Sequence, residues 1–320
     1  MSAPRDPALA PAQVSRAQAA LIAHLSGDAL GSLVEFKSVD WIHAHYPDGV
    51  RTMADGGTFK TLAGQPTDDG EMTLALARSL VERGAYDDAH AKAAYVRWIN
   101  SNPFDRGTTI ANALAGVPTP NSQANGALMR VAPIGIFGAR RATLDEVAIW
   151  AESDAAITHP HLVCRQANAL YAMAIAHAIA TGPTPAELHD FIRAQAAARQ
   201  VDPALVDLIA LSTTQPPRTY TEQIGWVLIA FHNALWQLLH APSLEEGIVG
   251  TIMRGGDTDT NAAIAGALLG SVYGMRAVPE RWTATLANCR ADQGGPRSST
   301  CRPEIYWPVD AADLAVKLLG

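Results

Sequence analysis

Apolar residues along this 320-residue chain recur mostly at intervals of three and four, the period of an α-helix with one buried face. In QPTDDGEMTLALARSL, Met72, Leu76 and Leu80 fall at every fourth position. Long segments are filled by Ala, Leu, Gln, Arg and Glu with few β-branched runs, a composition that favours helix. The pattern predicts helices near residues 12–26, 70–83, 87–100, 107–115, 143–157, 161–180, 185–198, 203–212, 221–240, 243–252, 259–274, 279–288 and 310–319. The breaks between them are short and rich in Gly, Pro, Asn and Asp. No polar–apolar alternation lasts long enough to mark a strand. No fixed-period repeat or low-complexity linker divides the chain. The expectation is one compact all-α domain over residues 1–320, its core at about 21–290. Residues 291–320 are expected to be a loose C-terminal segment carrying a short helix.

Composition narrows the function classes. Hydrophobic residues make up 48% and charged residues 17%, the balance of a globular protein. The net charge of −7 opposes a broad electrostatic grip on a phosphate backbone, so no nucleic-acid partner is expected. Local positive charge can still hold a small anion. The most apolar windows, around 169–180 and 262–275, are shorter than the roughly 20 residues a membrane helix needs. The start, MSAPRDPALAPAQ, has no basic stretch followed by an apolar run, so no signal peptide is expected. Cys164, Cys289 and Cys301 are odd in number and lack C-x-x-C spacing, which points to reduced thiols. Together these features predict a cytoplasmic protein, and a compact helical domain of this kind is expected to be a monomer. The chain contains no G-x-G-x-x-G, P-loop, G-x-S-x-G or H-E-x-x-H, which weakens dinucleotide-fold, NTPase, serine-hydrolase and zincin readings. DTDTN has the look of a phosphatase nucleophile loop but no apolar strand leads into it.

Two acidic clusters carry the candidate chemistry, each at a predicted helix start. In the first, Thr67, Asp68 and Asp69 follow Pro66 and precede the helix through Met72, Leu76 and Leu80. One such acid is explained as an N-cap favoured by the helix dipole. Two adjacent aspartates exceed that need, because one side chain occupies the cap. In the second, Asp257, Thr258, Asp259 and Thr260 follow Gly255 and Gly256, which permit a tight turn. The helix beyond carries Gly266, Gly270 and Gly274, with Ala262, Ala263 and Ala267 nearby, a small-residue face suited to close packing. If the clusters converge, four carboxylates and several hydroxyls require cations. Oxygen-only ligation suits Mg²⁺, Mn²⁺ or Ca²⁺ rather than zinc, and a two-metal centre is the natural arrangement. Spacing alone does not establish convergence.

The stretches TDDGEMTLALARSL and GGDTDTNAAIAGALLG resemble the ADP-ribosylglycohydrolase family, which includes the dinitrogenase-reductase-activating glycohydrolases. Four further segments fit in the family's order: SGDALGSLVEF at 26–36, SNPFDRGTT at 101–109, NGALMRVAPIG at 125–135 and THPH at 158–161. The likeness runs from about Leu21 to Gly274. It implies an orthogonal all-helical domain and a binuclear site for two Mg²⁺ or Mn²⁺ ions. The implied ligands are Thr67, Asp68, Asp69, Asp257, Asp259 and Thr260. The implied reaction is hydrolysis at the anomeric carbon, with an oxocarbenium-like transition state, freeing ADP-ribose from an ADP-ribosylated protein. A basic guanidine leaving group must depart protonated.

By the same resemblance, Asp105, Glu35 and Asp69 are candidates for moving the proton. Read without the family, Asp105 is an N-cap for the helix near Gly107, and Glu35 an ordinary acid after an apolar turn. Asn125, Gly126 and Ala127 match a phosphate loop, to which Gly107, Thr108 and Thr109 would add donors at a helix start. Arg130 balances an anion or pairs with an aspartate. His159 matches a position on the adenosine side, and His161 is a further candidate. TDDGEMTLALARSL is nearest the arginine-directed bacterial branch, so arginine is the expected acceptor. Serine-linked ADP-ribose and O-acetyl-ADP-ribose are alternatives within the class, and a non-catalytic ADP-ribose reader is the alternative outside it. His189 beside Asp190 hints at an HD-type phosphohydrolase, but its partners fit poorly and His189 is expected at the surface.

Overall fold

A computed structural model of the chain describes residues 9–292 and 300–320. Fifteen α-helices lie among the described residues: α1 (Pro11–Gly31), α2 (Val39–His45), α3 (Asp68–Arg83), α4 (Asp88–Asn100), α5 (Thr108–Leu114), α6 (Ala132–Arg141), α7 (Leu144–Thr158), α8 (Leu162–Thr181), α9 (Pro185–Ala198), α10 (Pro203–Leu211), α11 (Val227–His240), α12 (Leu244–Ile252), α13 (Thr258–Tyr273), α14 (Glu280–Asn288) and α15 (Ala311–Leu319). Among the described residues there is no strand, only isolated bridges at Gly56–Thr61 and Ala124–Trp226. No described helix is long and apolar enough to cross a membrane.

At the centre α1 and α13 run antiparallel in close contact. A Cβ on Gly27 would lie 2.3 Å from the Ala262 carbonyl oxygen, and one on Gly270 would lie 2.3 Å from that of Ala19. Only glycine allows backbones to approach this far, and both helices are buried along most of their length. The same contact continues to the ends: a Cβ on Gly31 would lie 2.3 Å from Asp259 Cα. The C-terminal turns of α1 are thereby fixed against the N-terminus of α13. Outer helices are set by local signals. Thr143 with Glu146, and Thr184 with Glu187, form capping boxes on α7 and α9, and α3 ends on Gly84 in the left-handed region.

The periodicity missed α2 and α6 and began α11 too early. The α2 helix has seven residues, held by Ser38 accepting from the Trp41 amide, too few to show a repeat. Two glycines lower the intrinsic helix preference of α6, but both face neighbours too close for a side chain. A Cβ on Gly135 would lie 2.7 Å from the Ala172 carbonyl, and one on Gly138 would lie 2.3 Å from Val147. Before α11, Gln223 and Gly225 both have positive φ, which stops a helix from extending back to residue 221.

The C-terminal segment was expected to be loose, and residues 300–320 are instead well anchored. α15 packs on α1, α3 and α6, burying Leu314, Leu318 and Leu319. Arg302 is 5% exposed and pairs with Glu71 of α3. Residues 293–299 of that segment, and residues 1–8 of the N-terminal stretch read for a signal peptide, lie outside the described residues.

Candidate active site

The ends of α1, α3 and α13 meet at one cavity of about 410 Å³. Asp68 and Asp69 come from the first turn of α3, while Asp257, Asp259 and Thr260 come from the start of α13. Glu35 arrives from the turn after α1 and Asp105 from the segment between α4 and α5. The two acidic clusters therefore converge. Carboxylate oxygens of Asp28, Asp69 and Asp259 lie within 4.8 Å of one another, and so do those of Glu35, Asp105 and Asp259. Asp259 belongs to both groups, making two adjoining oxygen sites.

Asp28 is the acid that sequence reasoning missed. It lies inside α1, fully buried, and its carboxylate reaches α3. It accepts from the Thr67 hydroxyl at 2.8 Å, the Thr67 amide at 3.1 Å and the Gly70 amide at 2.9 Å. Asp28 thus caps α3 from another helix, and Thr67 makes no side-chain cap of its own. A Cβ on Gly70 would come 2.5 Å from Asp28 Oδ2, so the close approach needs glycine. The available signal was an acid between Gly27 and Ala29 in a helix that carries no other acid.

With α3 capped from outside, its own aspartates are released into the cavity. Asp68 Oδ2 accepts from the Gly107 amide at 3.2 Å. Asp69 Oδ2 accepts from the hydroxyls of Thr67 at 3.2 Å and Thr260 at 3.3 Å. Buried Asp69 Oδ1 and Glu35 Oε2 have no hydrogen-bond partner. The N-cap alternative for Asp105 fails, because Gly107 is the N-cap of α5 and Asp105 accepts only from the neighbouring Arg106 amide, at 2.8 Å, among its backbone contacts.

Crowding of buried acids raises their proton affinity. Burial, then the charges of Asp257 and Asp105, push Glu35 up to about 9. Burial pushes Asp28 up to about 7, opposed by the hydrogen bonds from Thr67 and Gly70. Asp68, Asp69 and Asp259 are driven well above the usual carboxylate range by burial and then by one another's neighbours. Burial also raises Asp105. Such a cluster is relieved by protons or by hard cations. The unpartnered oxygens and all-oxygen donor set fit a divalent cation of the Mg²⁺, Mn²⁺ or Ca²⁺ kind.

The cavity is also lined by groups other than carboxylates. His159 lines it beside Gly126, whose Cβ would lie 3.1 Å from the imidazole Cε1. His159 Nδ1 pairs with the Thr158 hydroxyl at 2.8 Å, leaving buried Nε2 unpartnered. Burial, assisted by Arg130, holds His159 down to about 3, so the ring is neutral. Thr108 and Thr109 line the same cavity, as do Arg106, Ile110, Met129, Ile224 and Gly225, which sequence reasoning did not single out.

Several expected roles change. The Gly107 amide is engaged by Asp68, and the Asn125 amide donates to the Gly225 carbonyl at 2.8 Å, so neither is a spare phosphate donor. The Asn125 side chain instead donates to Asp257 at 2.7 Å. Ala127 is fully buried behind the wall, and Thr67 sits behind Asp69. Of the two readings of Arg130, the aspartate pair holds. It is fully buried, bonded to Asp154 at 3.1 Å, to Thr158 at 2.9 Å and to the Gly126 carbonyl at 3.0 Å, and so braces His159. His161 caps α8 through the Val163 amide and does not line the cavity. His189 is buried rather than at the surface, against Ile209 and Ser212, while Asp190 turns outward to Arg193. That divergence removes the HD-type reading.

Comparison with known proteins decides the family. The profile of the ADP-ribosylglycohydrolase family matches residues 9–303. The chain belongs to that family. Over 86% of its length it is 30% identical to an ADP-ribosylarginine hydrolase of Pseudomonas putida, 75% of which is covered. It is also 30% identical to the ADP-ribosyl-[dinitrogen reductase] glycohydrolase of Rhodospirillum rubrum, over 86% of this chain and 92% of that one. A solved structure described as an ADP-ribosylglycohydrolase-related protein complex shares the fold, with a TM-score of 0.78 at 24% identity, over 97% of this chain and 99% of that one. This family member is therefore a hydrolase of ADP-ribosyl bonds by kinship, on an all-α fold.

Proposed function

We propose that this family member is a metal-dependent hydrolase that removes ADP-ribose from arginine side chains of proteins. The observation that carries the reading is the pair of adjoining carboxylate groups sharing Asp259 at the end of the cavity. Asp68, Asp69, Asp257, Asp259 and Thr260 would hold two Mg²⁺ or Mn²⁺ ions, with Asp28 added to the ligand set and Thr67 supporting Asp69. When bound, the ions supply neutralisation of the acidic cluster and orientation of water and ribose hydroxyls for attack at the anomeric carbon.

The chain's own residues divide the remaining work. Asp69 is committed to Thr67, Thr260 and its acidic neighbours, which suits a ligand more than a proton carrier. Glu35 and Asp105 face the cavity on the other side of Asp259, and Asp105 is the half-buried one. Asp105, open to solvent exchange, delivers the proton to the leaving guanidine nitrogen as the C–N bond breaks, and Glu35, in its ionised form, holds the attacking water and takes up the proton it loses. Neutral His159, with Gly126 and Ile110, would face the adenosine, and Arg106 and Thr108 the pyrophosphate. An arginine acceptor is supported by the name of the Pseudomonas putida relative, an ADP-ribosylarginine hydrolase. It is also supported by charge, since a cationic leaving group is attracted to the acidic end of the cavity.

The test is release of free ADP-ribose from matched arginine-linked and serine-linked peptides, each with Mg²⁺, with Mn²⁺ and after EDTA. Release from the arginine peptide, lost in EDTA and restored by metal, is the expected result. Release from the serine peptide alone would overturn the acceptor assignment, and release undiminished by EDTA would overturn the metal requirement.

A further inference from the structure

Phe36 combines three properties that packing does not account for. Its side chain is 64% exposed, yet it lines the cavity beside Glu35. Its backbone has φ of +63°, in the left-handed region that an aromatic residue seldom occupies. The turn that holds it there is firmly tied. The Thr58 hydroxyl donates to the Glu35 carbonyl at 2.7 Å, the Thr58 amide to the Ser32 carbonyl at 3.2 Å, and the Lys37 amide to the Val34 carbonyl at 3.0 Å. A chain that forces an unfavourable backbone angle to display a large apolar ring at a site invites a functional reading.

The ring's neighbours define its orientation. Phe59 meets Phe36 edge to face, with centroids 6.5 Å apart and planes at 74°, and Phe104, adjacent to Asp105, lies 5.6 Å from Phe59. Phe36 is therefore supported from one side by an aromatic row. It lines the cavity next in sequence to Glu35, and its aromatic row ends at Phe104, next to Asp105, whose carboxylate groups with that of Glu35. A cation near Phe36 meets both a π face and the carboxylates of Glu35 and Asp105. An anionic or neutral group gains nothing comparable there. Planar guanidinium groups stack on aromatic rings more readily than other side-chain cations.

We propose that Phe36 is a specificity-determining residue, a platform on which the guanidinium of the ADP-ribosylated arginine stacks as its outer face meets Glu35 and Asp105. This deepens the arginine reading given above and rests on it. The ring contributes to selection of the acceptor and leaves recognition of ADP-ribose to the rest of the cavity.

The experiment compares wild type, Phe36→Leu and Phe36→Tyr as metal-loaded full-length enzyme. It measures kcat/KM on arginine-linked and serine-linked peptides, and the affinity for free ADP-ribose by calorimetry. Because Phe36 is exposed, leucine there leaves the core intact. The expected result is a fall of about 5- to 30-fold on the arginine peptide for Phe36→Leu, the range of a desolvated cation–π contact. Phe36→Tyr is expected to stay within about twofold of wild type, and ADP-ribose affinity to stay unchanged in both. A Phe36→Leu enzyme as active as wild type on arginine overturns the platform, as does a parallel loss of ADP-ribose affinity, which would place the ring under the nucleotide. A wild-type enzyme that cleaves only the serine peptide instead overturns the acceptor assignment, and the platform falls with it.

Discussion

Arg302 sits outside the catalytic carboxylates yet holds the two elements that present them. Its guanidinium donates to both Glu71 oxygens, at 2.7 and 2.8 Å, and to the Ser101 carbonyl and hydroxyl, at 2.8 and 2.7 Å. Glu71 follows Asp68 and Asp69 in the first turn of α3, and Ser101 begins the segment that reaches Asp105. Side-chain exposure is 3% for Arg302 and 1% for Glu71. Replacing Arg302 by Ala leaves the Glu71 carboxylate buried with the Trp98 indole, 2.8 Å away, as its remaining hydrogen-bond donor among the side chains. Breaking a buried ion pair from one side costs about 3–5 kcal/mol, because the surviving charge is stranded. Against a total stability of roughly 5–15 kcal/mol, that is a large share. Urea unfolding followed by circular dichroism measures it directly. Burial already raises the proton affinity of Glu71 despite its arginine, so the variant's deficit should shrink as pH falls and the stranded acid takes up a proton. Adding Glu71→Gln to Arg302→Ala should recover part of the loss for the same reason. An Arg302→Ala protein within about 1 kcal/mol of wild type at neutral pH would show that water or rearrangement satisfies Glu71 and that Arg302 does not hold these elements together.

Three further outcomes are expected. Near pH 4, where the buried Asp28 carries its proton and adds no ionisation penalty, Asp28→Ala should cost about 1–3 kcal/mol in the absence of metal, since the Thr67 and Gly70 amides lose their cap; unchanged urea unfolding there would contradict the capping role. Mg²⁺ or Mn²⁺ should raise the wild-type unfolding midpoint, by about 2.7 kcal/mol of stability when the ion is at 100 times its dissociation constant, and Asp259→Asn should abolish the effect; a midpoint indifferent to both ions would count against the oxygen cluster as a metal site. Burial holds His24 down to about 4 from its ordinary 6.5, so its stabilising contribution is complete above pH 6.5 and lost as pH falls toward 4, about 3 kcal/mol in all; His24→Gln should flatten the pH dependence of urea unfolding across that window, and coincident slopes would refute it.

What the sequence made legible follows the range of the interactions involved. The α3 and α13 helices announced themselves through apolar spacing, and the acids at their starts exceeded what capping requires, which is a local argument and survives in the structure. The convergence of those starts rests on Gly27, Gly31, Gly266 and Gly270; the last two read only as close packing with an unnamed partner, and the first two were not read at all. Asp28 was invisible as a site residue because its partners lie 39 and 42 positions away. His189 was misplaced because α9 looks amphipathic by itself, and the cover over it comes from the end of α10. Gly107 and Asn125 were expected by resemblance to offer phosphate donors; both line the cavity, but the sequence cannot reveal that each amide is already engaged. Arg302 was lost in a stretch rich in polar residues, where only its partner shows why it is buried.

The same few contacts that hold the core together also set the chemistry. Were Thr67 or Asp68 to cap α3, a carboxylate or hydroxyl of the acidic motif would be turned back to its own backbone. Delegating the cap to Asp28 on α1 frees Asp68 and Asp69 to point outward, and it draws Asp28 itself to within ligand distance of Asp69 and Asp259. That placement requires α1 to lie against α13 at glycine-to-backbone range, because a longer separation would withdraw Asp259 from Asp28 and Glu35 together. A single alanine-sized side chain at Gly31 would meet Asp259 Cα at 2.3 Å, so the fold leaves no room to relax the charge crowding by spreading the helices. The crowding is thus built into the backbone, and what relieves it, proton or cation, becomes a matter of solution conditions rather than of conformational change.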